Sequence, residues 1–219
     1  MLLYLIIFSI IFILIIENIK SYSELAKTIN EMYTNKHNYD FRVFDYKMKD
    51  RAAQWVKISV INQLLEENKY EYIFWIDSDA FFNKHDIKLE SLIIDNKDII
   101  ICDDKLNSGN FEDITVNTGT IIVKCSEWSK YFFKIMYNYK GNYLYDYFHE
   151  QTVMKELIKN NILDCKNHIS IENGTLFNSE INRQLNDNTL ENNFIIHLAA
   201  QKNDFRQKYM DNWLRKFNV

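Results

Sequence analysis

The stretch EYIFWIDSDAFFNKHD, Glu71–Asp86, joins an apolar run to two aspartates, Asp77 and Asp79, which are separated by a single serine. An unbroken apolar run is typical of a strand that is buried on both faces of a parallel sheet. In open α/β sheets, ligands bind beyond the carboxyl ends of the strands. A buried carboxylate without a partner is costly, so the pair indicates a cation or a hydrogen-bonding group nearby. The stretch therefore predicts a binding site at the end of a buried strand.

The spacing of the two aspartates is compatible with a divalent metal ion. If the chain stays extended from Asp77 to Asp79, both carboxylates point to one side, with their α-carbons about 6.6 Å apart. Oxygen ligands suit Mg²⁺ or Mn²⁺, which keep open positions for substrate phosphates. The alternative is a pair of loop aspartates that cap a following turn or helix. An isolated D-x-D pattern does not decide between these two interpretations.

The rest of the chain alternates apolar strands with helices, which predicts an α/β fold with a mostly parallel central sheet. Helical spacing runs from Ser23 to Met32 and from Arg51 to Leu65, and a short helical SLI segment lies near Glu90. Further helices are predicted from Glu127 to about Tyr139 and from Tyr147 to Lys159. The predicted strands are FRVFDY, YIFWID, DIIIC, VNTGTIIVKC and a late FIIHLAA.

The N-terminal run MLLYLIIFSIIFILII, Met1–Ile16, allows two interpretations. With residues 17–19 it approaches the length of a membrane span, and it lacks the basic region and cleavage site of a secretory signal, which favours an uncleaved anchor. In the other interpretation, its second half, FILIIEN, is the first strand of the sheet. The expected domains are thus residues 1–19 as anchor or partly first strand, and residues 20–219 as one globular domain. The expected location is a single-pass protein of the Golgi or a similar endomembrane, or a soluble cytoplasmic protein if the run is a strand.

Composition argues against nucleic-acid binding and against a cysteine metal site. A formal net charge of −4 over 219 residues gives no electrostatic case for nucleic-acid binding. The three cysteines, Cys102, Cys125 and Cys165, do not have the spacing of a metal site. Cys102 and Cys125 end apolar runs, where inert, partly buried thiols are expected.

A haloacid-dehalogenase-like phosphatase is one enzyme class that uses such a pair of aspartates. Its first aspartate would be the nucleophile, and Asp103 and Asp104 would supply the later acidic pair. The residues that follow Asp79, Ala80-Phe81-Phe82, fit that class poorly.

Several linked motifs follow one another along the chain: NKHNYDFRVFDY, AAQWVKISVINQLL, YIFWIDSDAFF, VNTGTIIVKCSEWSKYFF, HEQTVMKELI and FIIHLAAQKNDF. In their order and approximate spacing they resemble glycosyltransferase family 34, and the resemblance spans roughly Ser21 to Trp213. The resemblance implies a single GT-A domain, with a Rossmann-like nucleotide-binding sheet. It also implies transfer of a hexose or pentose from a UDP- or GDP-sugar to an oligosaccharide or glycoprotein acceptor.

The resemblance also implies roles for particular residues. Asp77 and Asp79 match the D-x-D motif, with Asp79 as the more direct Mn²⁺ ligand and Asp77 also near the nucleotide. His197 matches the late histidine that completes the metal site, although a strand-end core histidine is the alternative. Asn117 and Gly119 match an NTG segment that binds the donor, with a bulge or turn as the alternative.

Glu150 and Gln151 match an Asp-Gln pair that faces the donor sugar and is implied to be catalytic. The metal would be Mn²⁺, with Mg²⁺ as the alternative.

Departures from the family pattern limit what the resemblance implies. Glu150 replaces an aspartate, so Gln151 is the stronger candidate of the two. The late histidine is followed by AAQKNDF rather than by cysteines, and residues 168–193 match no acceptor motif. No second strong base is evident, which favours a retaining reaction. The rival interpretation is an inactive, membrane-tethered GT-A-like binding module.

Overall fold

The computed structural model describes residues 8–13, 20–44, 48–103, 115–139, 148–180 and 192–217. Asp104, Tyr147, Asp45, Tyr46 and most of the N-terminal run lie outside the described residues. The structural statements below refer to the described ranges.

The described chain contains nine strands and seven α-helices. The strands are β1 Phe8–Ile13, β2 Asp40–Phe44, β3 Tyr72–Ile76, β4 Ala80–Phe82, β5 Ile99–Asp103, β6 Val116–Lys124, β7 Ile169–Asn173, β8 Ser179–Glu180 and β9 Ile195–His197. The helices are α1 Lys20–His37, α2 Val56–Glu67, α3 Glu127–Tyr137, α4 Glu150–Lys159, α5 Cys165–His168, α6 Gly174–Phe177 and α7 Asn203–Lys216. Short 3₁₀ turns lie at Ala53–Trp55, Leu89–Leu92 and Ile162–Asp164.

The main sheet has six strands in the order β2-β1-β3-β6-β5-β7. Strands β2, β1 and β3 are parallel to one another, and β7 is parallel to β5. Strand β6 runs antiparallel to both of its neighbours. The α/β class is confirmed, and the sheet is mixed because β6 enters it in the opposite direction.

Strand β1 lies in the interior of this sheet, between β2 and β3. It falls within the apolar run for which the sequence allows an anchor or a first strand, and it begins four residues before the predicted FILIIEN segment. Among the described residues, no helix is both long and apolar enough to cross a membrane. An N-terminal anchor stays a prediction.

Both faces of β3, β6 and β5 are buried, which explains the unbroken apolar runs of these strands. Alternate residues of β3 belong to different cores. Ile73 and Trp75 pack with residues of α2, α3 and α4, whereas Phe74 and Ile76 pack with residues of α1 and α7. The carboxyl end of β3 therefore emerges between two helical layers.

A second, three-stranded sheet, β4-β9-β8, follows directly from this end of β3. The chain turns between Asp77 and Ala80, where the amide of Ala80 donates to the carbonyl of Asp77 at 2.9 Å. The extended geometry assumed for Asp77–Asp79 is thus wrong, because the chain must turn here to pair β4 with β9. Ala80 pairs with His197 in this ladder, which brings the late histidine to the aspartates.

Candidate active site

Three predicted metal ligands meet beyond the end of β3. Asp77, Asp79 and His197 each offer a ligand atom, and these atoms lie within 4.8 Å of one another. The turn supplies the two aspartates, and β9 supplies the histidine. They line a cavity of about 280 Å³, together with the other four predicted site residues, Asn117, Gly119, Glu150 and Gln151. The structure thus brings all seven predicted residues together.

Asp77 is held by two donors from the main core. The Nζ of Lys57 lies 3.0 Å from Asp77 Oδ1, and the indole N–H of Trp75 donates to the same oxygen at 2.6 Å. The backbone amide of Asp77 also donates to the carbonyl of Gly119 at 2.8 Å. The carboxylate therefore has a fixed orientation at the cavity wall.

Asp79 is held by a different cation, on the opposite side. The Nη2 of Arg206 lies 2.6 Å from Asp79 Oδ2, and His197 Nε2 lies 3.2 Å from Oδ1. Burial by itself would raise the pKa of Asp79, but the charges of His197 and Arg206 outweigh it and lower this pKa to about 2. Asp79 is therefore ionised at neutral pH.

His197 is buried, with 4% of its surface exposed. Burial lowers the pKa of its imidazole, but the carboxylate of Asp79 outweighs that effect and raises the pKa above its usual value. Its Nδ1 is buried and has no hydrogen-bond partner among the described residues. The ring thus has one nitrogen facing Asp79 and one unsatisfied nitrogen, which is costly in a purely structural role.

Gly119 makes room for this ring. A Cβ at Gly119 would lie 2.2 Å from His197 Cε1 and 2.6 Å from Nδ1, far inside van der Waals contact. The absence of a side chain at this position therefore lets the His197 ring approach the strand.

Asn117 uses both ends of its amide within the protein. Its Oδ1 accepts from the amide of Gly119 at 2.8 Å, and its Nδ2 donates to Glu180 Oε1 at 2.6 Å. The predicted alternative of a bulge at this segment is also observed, because the register between β5 and β6 shifts after Ile101. Contact with donor hydroxyls remains a prediction for Asn117.

Glu150 and Gln151 begin α4 and reach back to β6. The Oγ1 of Thr118 donates to Glu150 Oε1 at 2.8 Å, and the amide of Thr118 donates to Gln151 Oε1 at 3.0 Å. The preceding His149 has φ 47° and ψ −117°, a strained backbone that turns the chain into the helix. Burial raises the pKa of Glu150 although Lys57 and Thr118 oppose it. The pair is thereby fixed against the strand.

Lys57 connects these parts of the site. Its Nζ donates to the carbonyl of Thr118 at 2.9 Å and lies 3.3 Å from Glu150 Oε1, in addition to its contact with Asp77. Only 5% of its surface is exposed. Burial lowers the pKa of this amine, but the two carboxylates outweigh the effect and raise it, so Lys57 is charged.

The sequence interpretation assigned no role to Lys57, Glu180 or Arg206. Lys57 shares a helix face with Ile61 and Leu64, and a lysine at such a position signals a buried partner. Arg206 is one turn from the buried Met210 in α7 and carries the same kind of signal. Glu180 lies in a two-residue strand, which has no recognisable local pattern.

Comparisons with known proteins bear on the family and the fold of the chain. The sequence model of the galactosyl transferase GMA12/MNN10 family, which is glycosyltransferase family 34, matches residues 9–105. No curated protein sequence gives a significant match.

Solved structures match over nearly the whole chain. A glycosyltransferase involved in the glycosylation of the major capsid of PBCV-1 has a TM-score of 0.75 at 15% identity, covering 94% of this chain and 99% of that one. The galactosyltransferase LgtC, in complex with donor and acceptor sugar analogues, has a TM-score of 0.58 at 12% identity, covering 94% of both chains. The glycosyltransferase GlyE of Streptococcus pneumoniae has a TM-score of 0.60 at 11% identity, covering 94% of this chain and 59% of that one.

At these identities the structural matches establish the fold, and the family match covers strands β1 to β5 with the two aspartates. The chain therefore has the GT-A glycosyltransferase fold, and the resemblance to glycosyltransferase family 34 that its sequence predicts is confirmed.

Proposed function

We propose that the protein is a metal-dependent, retaining glycosyltransferase that moves a hexose or pentose from a UDP- or GDP-sugar to a glycan acceptor. The observation that carries the proposal is the convergence of Asp77, Asp79 and His197 on one cavity beyond the end of β3. The family match and the fold agree with it. The complex of LgtC with donor and acceptor sugar analogues supports a donor and an acceptor of these classes.

The residues of this cavity fit a divalent ion. Two carboxylates and one imidazole form a donor set suited to Mn²⁺, with Mg²⁺ as the alternative. The unsatisfied nitrogen of His197 is consistent with a missing partner. Asp77, Asp79 and His197 would hold the ion, which would neutralise charge on the leaving diphosphate.

Lys57 is the second source of positive charge close to the leaving group. It is charged, buried and fixed by Asp77, Glu150 and Thr118. A fixed cation in a site that excludes water stabilises developing negative charge without reorganising. Lys57 also ties the metal-binding turn to helix α4, which would keep the donor sugar aligned with the diphosphate.

Gln151 is the residue that we assign to the face of the donor sugar. The amide of Thr118 fixes its carboxamide oxygen, so the NH₂ group is left to face a sugar hydroxyl or the reacting centre. Glu150 is less suited to a nucleophilic role, because burial raises its pKa and so disfavours the ionised carboxylate.

Glu180 is the one observation that favours an inverting reaction instead. It lines the cavity and accepts from Nδ2 of Asn117, so the cavity contains a carboxylate to which the sequence assigns no role. An inverting enzyme needs such a base to deprotonate the acceptor hydroxyl. The anomeric configuration of the product separates the two reactions.

The phosphatase alternative gains no support. Asp103 is buried, accepts from the amide of Thr115, and does not line the cavity of Asp77 and Asp79 among the described residues. An inactive binding module is a weaker interpretation than an enzyme, because the three candidate metal ligands, Asp77, Asp79 and His197, are present and lie close together.

The test is incubation of the protein with UDP- and GDP-sugars in the presence of Mn²⁺, Mg²⁺ or a chelator. We expect Mn²⁺-dependent release of the nucleotide from one donor, and a product that keeps the donor's anomeric configuration by NMR. The Asp79→Asn variant is the control. Donor cleavage that persists unchanged in chelator and in this variant would contradict metal dependence, and an inverted product would contradict retention.

A further inference from the structure

Arg206 lies in the first turn of α7 and contacts three separate parts of the fold. Its Nη2 lies 2.6 Å from Asp79 Oδ2, its Nε donates to the carbonyl of Leu198 at 3.0 Å, and its Nη1 donates to the hydroxyl of Tyr22 at 3.2 Å. The side chain is 15% exposed. A planar guanidinium can make these contacts at once because its donors have a fixed fork geometry.

Two of these contacts bear on the spacing of the candidate metal ligands. Leu198 directly follows His197, and its amide donates to the carbonyl of Asp79 at 2.8 Å. Arg206 therefore holds the Asp79 side chain with one nitrogen and the end of the strand that carries His197 with another. Asp79 Oδ1 is left facing His197 Nε2, at 3.2 Å.

We propose that Arg206 is a positioning residue that sets the separation of Asp79 and His197 for a bound divalent ion, an inference that rests on the proposed function. By occupying Oδ2, it directs Oδ1 of Asp79 toward the ion. By holding Leu198, it fixes the depth at which His197 enters the site. Groups that orient metal ligands commonly change metal affinity by about 10- to 100-fold when they are removed.

If Arg206 acted only through its charge, its removal would change the metal affinity in the opposite direction. A guanidinium beside the site repels a divalent cation, so its removal alone would strengthen metal binding. Positioning predicts weaker binding, and it also predicts that lysine cannot replace arginine. The ammonium of lysine is a single point charge on a flexible stem, and it cannot span Asp79 and Leu198 as the fork does.

The experiment compares wild type, Arg206→Lys, Arg206→Gln and the control Lys208→Ala. Lys208 is an exposed cation of the same helix. Mn²⁺ affinity is measured by calorimetry with UDP and with GDP. Coordination of His197 is read from nitrogen coupling in pulsed EPR of bound Mn²⁺, with His197→Ala as the reference for lost coupling.

We expect both Arg206 variants to bind Mn²⁺ about 10- to 100-fold more weakly and to lose nitrogen coupling, while the Lys208 variant matches wild type. Circular dichroism and melting curves identify a variant that does not fold, and the charge-retaining Arg206→Lys then carries the test. If Arg206→Gln binds Mn²⁺ as tightly as wild type or more tightly, with nitrogen coupling intact, the positioning role is refuted while the proposed function stands. If wild type itself binds no Mn²⁺ with either nucleotide, the metal-dependent function fails and the inference fails with it.

Discussion

Replacing Gly119 with alanine tests the packing that places the candidate metal-binding histidine. The new Cβ would lie 2.2 Å from His197 Cε1, whereas ordinary contact begins at 3.4 Å, so the ring or the strand must move by about 1.2 Å. The backbone at Gly119 does not have a positive φ, so alanine is tolerated there by the main chain and the cost arises from space alone. Overpacking of this kind destabilises a core by about 1 to 3 kcal/mol. If His197 binds a metal ion as proposed, a displacement of this size would also weaken its bond to the ion.

A double-mutant cycle separates this clash from a general effect of alanine in the strand. We expect Gly119→Ala to lower the free energy of unfolding by about 1 to 3 kcal/mol in wild type, and by much less in the His197→Ala background, because the ring is then absent. Denaturant unfolding in chelator measures stability, and Mn²⁺ titration measures the site. An equal loss of stability in both backgrounds would refute the reasoning, as would a Gly119→Ala variant that binds Mn²⁺ like wild type.

Three further predictions follow from the site and the sheet. Because the pKa of Asp79 is lowered to about 2, its ionised form stabilises the fold above about pH 4, and this stability is lost as the pH falls through about 2. In chelator, the free energy of unfolding of Asp79→Asn should therefore fall less steeply over that pH range than that of wild type. Equal pH dependence of the two unfolding free energies would contradict this. Lys57→Met leaves Asp77 and Glu150 without their shared cation and should lower the free energy of unfolding by about 3 to 5 kcal/mol, measured by denaturant unfolding against the exposed control Lys208→Met. Deletion of Met1–Glu17 removes β1 from the interior of the sheet and should give an aggregated product, whereas a monodisperse, cooperatively melting product on size exclusion would support a dispensable anchor.

The predictable part of the fold is the part with strong local patterns. Strand β3 was predicted to within one residue, because five consecutive apolar residues end at a carboxylate. Helix α1 was underestimated: it was predicted over Ser23–Met32 and runs over Lys20–His37, since polar surface residues carry little periodic signal. Helix α7 was missed, although Phe205, Tyr209 and Trp213 recur every four residues in it. The chain contains no proline and few glycines, so its boundaries lack the usual markers.

The direction of β6 could not be predicted from its composition. Its residues 116–123 are all buried, as are all five residues of β3, which runs parallel to β1, because helices cover both faces of the sheet at these strands. An apolar run signals burial on both faces, and it does not report which way the strand runs. A mixed sheet and a wholly parallel one thus share the same local pattern here.

Some residues of the candidate site can be predicted from a local sequence pattern, and others cannot. The two aspartates are a local signal, because both come from one turn after β3. Apart from Trp75, the side-chain partners of these aspartates are not local: Asp77 is held by Lys57 of α2, whereas Asp79 is held by β9 and α7. His197 reaches Asp79 through β4 and β9, two strands of three residues each that pair in a separate sheet. Short strands of this length carry no reliable pattern, so His197 was found by resemblance and Arg206 was not found at all. It follows that substitutions that disrupt the pairing of β4 with β9 should weaken Mn²⁺ binding measured by calorimetry, even where they leave the candidate ligands unchanged, because this ladder brings His197 to Asp79.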